Sequence, residues 1–300
     1  MNSEPSSNMG SESKNIVWLA SYPKSGNTWF RVFLSNLLSE EEKPVNINDL
    51  HHTPIASSRI LFDNASGVSS SDLTPDEIAE LRPEVYRQVN REASDLVFHK
   101  VHDAWGLTPS GKPIFPPDIT KAVIYFIRNP LDVAVSFAFH SMKSSSSMIQ
   151  ELNDEKNAFC RKPSRLYNQL MQPLSDWSGH VVSWVDQSEL PLIVLRYEDM
   201  LEETYGQFTS ILDFLGIKTD ETKIRAALKA SSIHSLKKME MKDGFKEKPL
   251  GMKSFFRRAL PGEWREHLSK QDVKNLVYKQ RVLMERFGYL TENNLLTDVL

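Results

Sequence analysis

The residues near the start of the chain with the most chemical promise are the nine at 21–29, SYPKSGNTW. They follow an apolar run at 16–20 and precede residues spaced for a helix. A strand that ends, a glycine that lets a ligand approach the backbone, and the bare N–H groups of a new helix together make an anion site. Gly26 is that glycine. Lys24 adds a point charge, and Ser25, Asn27 and Thr28 add donors. In a Walker loop the lysine directly follows the last glycine. Here Lys24 comes two residues before Gly26, so the stretch is a phosphate-type loop of another kind, with an ordinary strand-to-helix turn as the competing reading. Trp29 offers a flat face to a base or a side chain to the core.

Three further stretches carry chemistry. In FHKVH at 98–102, side chains alternate along a strand, so Lys100 and His102 share one face while His99 and Val101 take the other. His102 falls at the carboxyl end of its strand, where open α/β sheets place their ligands. A neutral imidazole there can take a proton from a hydroxyl group. A hydrogen-bonded structural role stays open for His102 and is the preferred reading for His99. In RNPLDVAVS at 128–136, Arg128 ends a buried strand, Asn129 suits an N-cap and Pro130 the first helical position. An arginine so placed can clamp a phosphate or pair with a carboxylate. Arg257 and Arg258 stand beside two phenylalanines near a glycine turn. They close a basic run, 237–258, with eight basic and three acidic residues. This run reads as a solvated loop or as a lid over an anion, loosely held by its like charges.

The elements needed to position these residues are legible as alternating patterns. Runs at 16–20, 96–101, 122–127 and 192–195 read as strands. That at 122–127 is apolar on both faces, as in the centre of a parallel sheet. Helical spacing is expected over 28–38, from 130, over 201–215 and over about 270–287. The polar stretches 40–95 and 141–175 read as insertions or lids, with mobility around the serines at 144–147. The expected fold class is therefore α/β, one P-loop-like domain with a central, mainly parallel sheet flanked by helices. Its expected extent is 15–300, after a disordered tail over 1–14.

Composition removes several function classes. The chain has 300 residues, 40% hydrophobic and 25% charged, with a net charge of −3, which argues against a general nucleic-acid binder. Cys160 is the sole cysteine, so neither an intrachain disulfide nor a cysteine-rich metal site can form. The first fourteen residues hold no apolar signal core, and no run reaches membrane-spanning length. A cytoplasmic protein without membrane insertion is expected.

Taken in order, the four stretches resemble the cytosolic-type sulfotransferases that use 3′-phosphoadenosine 5′-phosphosulfate (PAPS), in a bacterial branch of that family. The resembling elements are YPKSGNTW at 22–29, Lys100-Val101-His102, RNPLDVAVS at 128–136 and RRALPGEWR at 257–265. The resemblance implies PAPS as donor, no required metal, and a small-molecule, lipid or natural-product acceptor. It implies that the amides of Ser25 to Thr28 hold the 5′-phosphosulfate, that Lys24 meets the bridging oxygen, and that Trp29 stacks on adenine. Arg128 and Ser136 would hold the 3′-phosphate with Arg257 and Arg258, and Tyr197 and Ser231 would face the nucleotide. His102 would be the general base, with Lys100 supporting the transferring group. Four departures stand out: Asn27 replaces threonine, Arg258 replaces lysine, which keeps the charge but not the geometry, Ala259 replaces a lid glycine, and Ile233 replaces an aromatic. Two other readings stay open: a P-loop kinase using ATP and magnesium, with Asp199 as its carboxylate, and a non-catalytic nucleotide-binding protein on the same fold.

Overall fold

The computed structural model describes residues 13–290 except 42, 163 and 164. All but Ser13 and Lys14 of the expected tail lie outside the described residues, as do residues 291–300 of the expected domain. In chain order the elements are β1 (Ile16–Ser21), α1 (Asn27–Leu38), α2 (Arg59–Ser66), α3 (Pro75–Glu92), β2 (Val97–Val101), β3 (Thr120–Ile127), α4 (Pro130–Ser141), α5 (Ser145–Leu152), β4 (Ala158–Phe159) and β5 (Gln172–Pro173). They continue with α6 (Trp177–Val185), β6 (Leu192–Arg196), α7 (Tyr197–Glu202), α8 (Thr204–Leu215), α9 (Glu221–Ala230), α10 (Ile233–Asp243), α11 (Trp264–His267) and α12 (Lys270–Arg286).

The main sheet has the order β2-β1-β3-β6, with every pairing parallel. β1 and β3 are central and apolar on both faces, as a parallel sheet covered by helices requires. Alternation sorts their side chains into two cores. Trp18, Ala20, Val123 and Tyr125 face α3, α4, α6 and α12, while Val17, Leu19, Ile124 and Phe126 face α1, α8 and α9. In the second core Phe33 meets Phe208 at 4.7 Å between ring centres and Phe30 meets it at 5.2 Å. Each such buried side chain contributes about 1.5–3 kcal/mol. A third cluster, including Val32, Leu236, Phe245 and Phe256, holds α10 and the loop after it against α1.

From β1 the chain goes first to β2 on one side and then to β3 on the other. The strand order therefore reverses at the carboxyl ends of β1 and β3, the crevice where open α/β sheets bind ligands. The two loops that leave this point are the one at 22–26 and the one at 128–129.

Several expectations are corrected. The stretch 40–95 is not a polar insertion. It holds α2 and the 18-residue α3, whose Thr74–Glu77 capping box fixes its start. α3 buries Val85 and Tyr86, and also Arg82, whose guanidinium meets Asp103 at 2.6 Å. That buried ion pair makes the helix's inner face look polar in sequence. The serines at 144–147 open α5, where the Ser144 hydroxyl accepts the Ser147 N–H. The helix expected over 201–215 is two helices, α7 and α8, broken at Glu203.

Candidate active site

The loop after β1 is locked by its own residues. Lys24 and Gly26 both take positive φ, 71° and 102°, and a side chain at Gly26 would stand 2.8 Å from the Tyr197 ring. The Asn27 side-chain amide donates to Leu19 O at 2.7 Å and to Ser21 Oγ at 3.2 Å. Its donors therefore hold the loop to the strand, leaving only its backbone N–H for a ligand. The first bonded amide of α1 is that of Trp29, to Gly26 O. The amides of Ser25, Gly26, Asn27 and Thr28 make no protein hydrogen bond among the described residues, as the first turn of a helix leaves them. Ser25 Oγ is buried and likewise has no partner.

Cations converge on this loop. The Lys24 ammonium lies 3.8 Å from the Phe255 ring centre. Burial, with Lys100 and Arg128 nearby, lowers its pKa to about 7. Arg128 donates to Lys24 O at 3.1 Å and lies over the Tyr197 ring at 4.4 Å, with its Nε buried and without a partner. Arg257 stacks on Phe139 at 3.6 Å and pairs with Glu263 at 3.5 Å. Arg258 is exposed and pairs with Glu266 at 2.9 Å.

At the end of β2, His102 Nδ1 lies 2.9 Å from Ser21 O. A carbonyl only accepts, so Nδ1 carries the proton and Nε2 keeps its lone pair. Burial and the Lys100 charge hold the imidazole well below its usual pKa, so the ring is neutral. The His102 carbonyl is in turn held by His180 Nε2 at 3.0 Å, and Tyr125 OH lies 2.8 Å from His180 Nδ1. His99, on the opposite face, is fully buried against Trp18, and neither of its ring nitrogens has a partner. It is structural as expected, though not through hydrogen bonds.

The residues gather around one cavity of about 1820 Å³. Lys24, Gly26, Asn27, Thr28, Trp29, Lys100, His102, Arg128, Ser136, Tyr197, Arg257 and Arg258 all line it. Ser25 and Ser231 do not. Ser231 is 0% exposed and its hydroxyl donates to Leu228 O; the neighbouring Ser232 and Ile233 line the cavity instead. Trp29 meets Tyr197 edge-on at 6.3 Å, at the same wall. Of the apolar side chains at 62–167, Phe62, Tyr86, Phe137 and Met148 are buried in the core, Phe139 and Met142 are exposed, and Phe159 reaches the cavity.

Sequence reasoning missed four residues. Glu247 bridges Lys100 and Arg31, both at 2.7 Å, tying the loop after α10 to the end of β2 and to α1. Burial works against its carboxylate, yet the Lys100 and Arg31 charges hold its pKa far below the usual range. Its place in a basic run gives no sign that it turns inward. Asp132 accepts the N–H groups of Gly262 and Trp264 at 2.7 and 3.1 Å. With Glu240 accepting those of Phe255 and Phe256, it ties down both ends of a lid that like-charge repulsion alone suggested would be loose. His140, on α4, also lines the cavity, and burial lowers its pKa to about 3.

Ala259 adopts φ 55°, left-handed backbone that favours glycine. Asp199 pairs with Arg196 at 3.1 Å and does not line the cavity, so it offers no carboxylate to the loop. No helix among the described residues is long and apolar enough to cross a membrane.

The sulfotransferase domain family model matches residues 14–287. The chain is 31% identical to rat sulfotransferase 2A6 over 151 residues, covering 49% of this chain and 51% of that protein. It is 26% identical to cytosolic sulfotransferase 1 of Arabidopsis thaliana over 275 residues, covering 85% and 74%. The chain thus spans about half the length of the first of these relatives. Among solved structures, a mouse sulfotransferase complexed with PAP matches with a TM-score of 0.59 at 15% identity, over 93% of this chain and 89% of that one. Retinol dehydratase in complex with androsterone and PAP matches with 0.56 at 20%, over 94% and 84%. Likeness at these identities is one of fold, and it agrees with the parallel sheet and the loop after β1. The family model, covering most of the chain, goes further: the protein belongs to the sulfotransferase domain family.

Proposed function

We propose that the protein transfers a sulfuryl group from PAPS to a hydroxyl or amine of a small-molecule, lipid or natural-product acceptor, with His102 as general base. The observation that carries this reading is the His102 ring, neutral and tautomer-fixed by Ser21 O, in the same cavity as Lys24, Lys100 and Arg128. The residues suit a polyanionic nucleotide: four unbonded amides, an orphaned Arg128 Nε and Ser25 Oγ, and a glycine with no room for a side chain.

PAPS supplies the sulfuryl group: the acceptor's oxygen or nitrogen bonds to sulfur while the sulfur–oxygen bond to the 5′-phosphate breaks, and adenosine 3′,5′-bisphosphate departs. The amides of residues 25–28 and the Lys24 ammonium neutralise charge growing on the departing phosphate. Lys100 faces the same space and supports the transferring group. His102 Nε2 takes the acceptor's proton. Arg128, Ser136 and the Arg257–Arg258 pair are assigned to the 3′-phosphate, and Trp29, Tyr197 and Ser232 to the base-side wall.

The experiment is label transfer from 35S-PAPS to an acceptor panel in excess chelator, beside the same panel with labelled ATP and magnesium. Transfer from PAPS in chelator is expected. Transfer from ATP alone would establish the kinase reading, and bisphosphate binding without transfer to any acceptor would favour a non-catalytic protein.

A further inference from the structure

The mouth of the cavity carries apolar side chains that the donor site does not use. Ile60 and Leu260 line the cavity, yet are 74% and 52% exposed. Leu250 is 96% exposed between the lining residues Pro249 and Met252, and Leu166 is 72% exposed beside the lining residue Arg165. Single exposed leucines are ordinary; two exposed apolar residues on the cavity lining and two more next to lining residues in the chain mark an interaction surface.

The charge around Leu250 has one sign. Lys246 and Lys253 are exposed. The only acid of the stretch 246–253, Glu247, is turned inward onto Arg31 and Lys100. Glu240, on the preceding helix, is also turned inward, onto the amides of Phe255 and Phe256. Folding thus turns Glu240 and Glu247 inward, keeps the exposed Asp243 on α10 beside Asn46, and leaves lysines around an exposed leucine, on a chain whose net charge is −3. An apolar tip flanked by lysines is the chemistry that enters an anionic headgroup layer: leucine reaches the acyl boundary and the ammonium groups meet lipid phosphates.

We propose that the loop 246–253 docks the protein on an anionic lipid bilayer with the cavity mouth facing the lipid, so that an amphiphilic acceptor enters from the bilayer. The route of the acceptor rests on the transfer reading; the docking does not.

The test is co-sedimentation of the full chain with phosphatidylglycerol–phosphatidylcholine vesicles and with pure phosphatidylcholine vesicles, at low and physiological salt. Binding is expected to the anionic vesicles, weakening with salt. Leu250→Asp should lower partitioning about tenfold or more. Lys246→Glu with Lys253→Glu should lower it at least about twentyfold, since each lysine near such a surface is worth about fivefold. Val282→Asp, at an exposed position on α12, should change nothing. Leu250→Asp and Val282→Asp should keep wild-type 3′,5′-bisphosphate affinity by calorimetry, which separates loss of docking from loss of fold or donor site; the lysine variant is read by docking alone, because Lys246 lines the cavity. Equal binding to both vesicle types, wild-type partitioning by Leu250→Asp, or retention on heparin without vesicle binding would overturn the proposal.

Discussion

Lys24 and Lys100 are half-buried cations in one cavity, and their protonation is set by what faces them. Free Lys24 titrates near 7 because burial and two neighbouring cations disfavour its charge. A bound anion reverses that disfavour and raises the pKa. Bisphosphate affinity should therefore be full below pH 7 and weaken as pH rises through 7. At pH 7.5, calorimetry in buffers of different ionisation enthalpy should show proton uptake, and Lys24→Met should abolish it. Uptake of no proton by the wild type would contradict this. Glu247 acts on Lys100 in the opposite sense, since burial lowers the Lys100 pKa and the carboxylate partly restores it. In Glu247→Gln, Lys100 keeps its burial and Arg31 but loses its counter-charge. The alkaline limb of the pH–rate profile should then move down by about one to three units, with turnover at pH 8 falling more than at pH 6. An unmoved limb would show that Glu247 does not govern Lys100. At this scale the sequence was readable where a motif names the residue, as for Lys24, Lys100, His102 and Arg128. It was unreadable for Glu247, whose partners lie 147 and 216 positions away; and at Ser231, where no motif sets the register, the neighbouring Ser232 is the one that lines the cavity.

Among elements, the strands were readable because β1 and β3 are buried on both faces and must be apolar throughout. α3 was not, because its inner face spends a position on the Arg82–Asp103 pair. The lid's attachment also depends on long-range carboxylates. Asp132→Ala leaves the amides of Gly262 and Trp264 without their acceptor, at about 1–3 kcal/mol for each unsatisfied buried donor. Hydrogen exchange should speed up across 257–265 while the loop at 22–29 is unchanged; unchanged exchange at 257–265 would mean that other contacts hold the lid. Ala259 tests the same segment from its backbone. Its left-handed conformation costs about 1–2 kcal/mol, against about 0.5–1 kcal/mol for glycine's extra chain entropy. Ala259→Gly should raise stability by about 0.5–1 kcal/mol in urea unfolding, and a loss would show that the alanine methyl packs usefully.

Over the whole molecule, the strand order brings the ends of β1, β2 and β3 to one crevice, and the loop after α10 closes it from the other side. Lys24, Arg128, Ser136, Arg257 and Arg258, proposed for the donor, thereby share a cavity with His102, the proposed base at the end of β2. If binding and proton transfer are separate duties within that cavity, they should separate by mutation. The decisive measurement pairs label transfer with bisphosphate calorimetry in His102→Ala, using His140→Ala as the comparison from the same cavity. His102→Ala should lose roughly 10²–10⁴-fold in turnover, the usual worth of a general base, while binding bisphosphate as the wild type does; His140→Ala should keep most of its turnover. Near-wild-type transfer by His102→Ala, or equal losses in both variants, would contradict the assignment of the base.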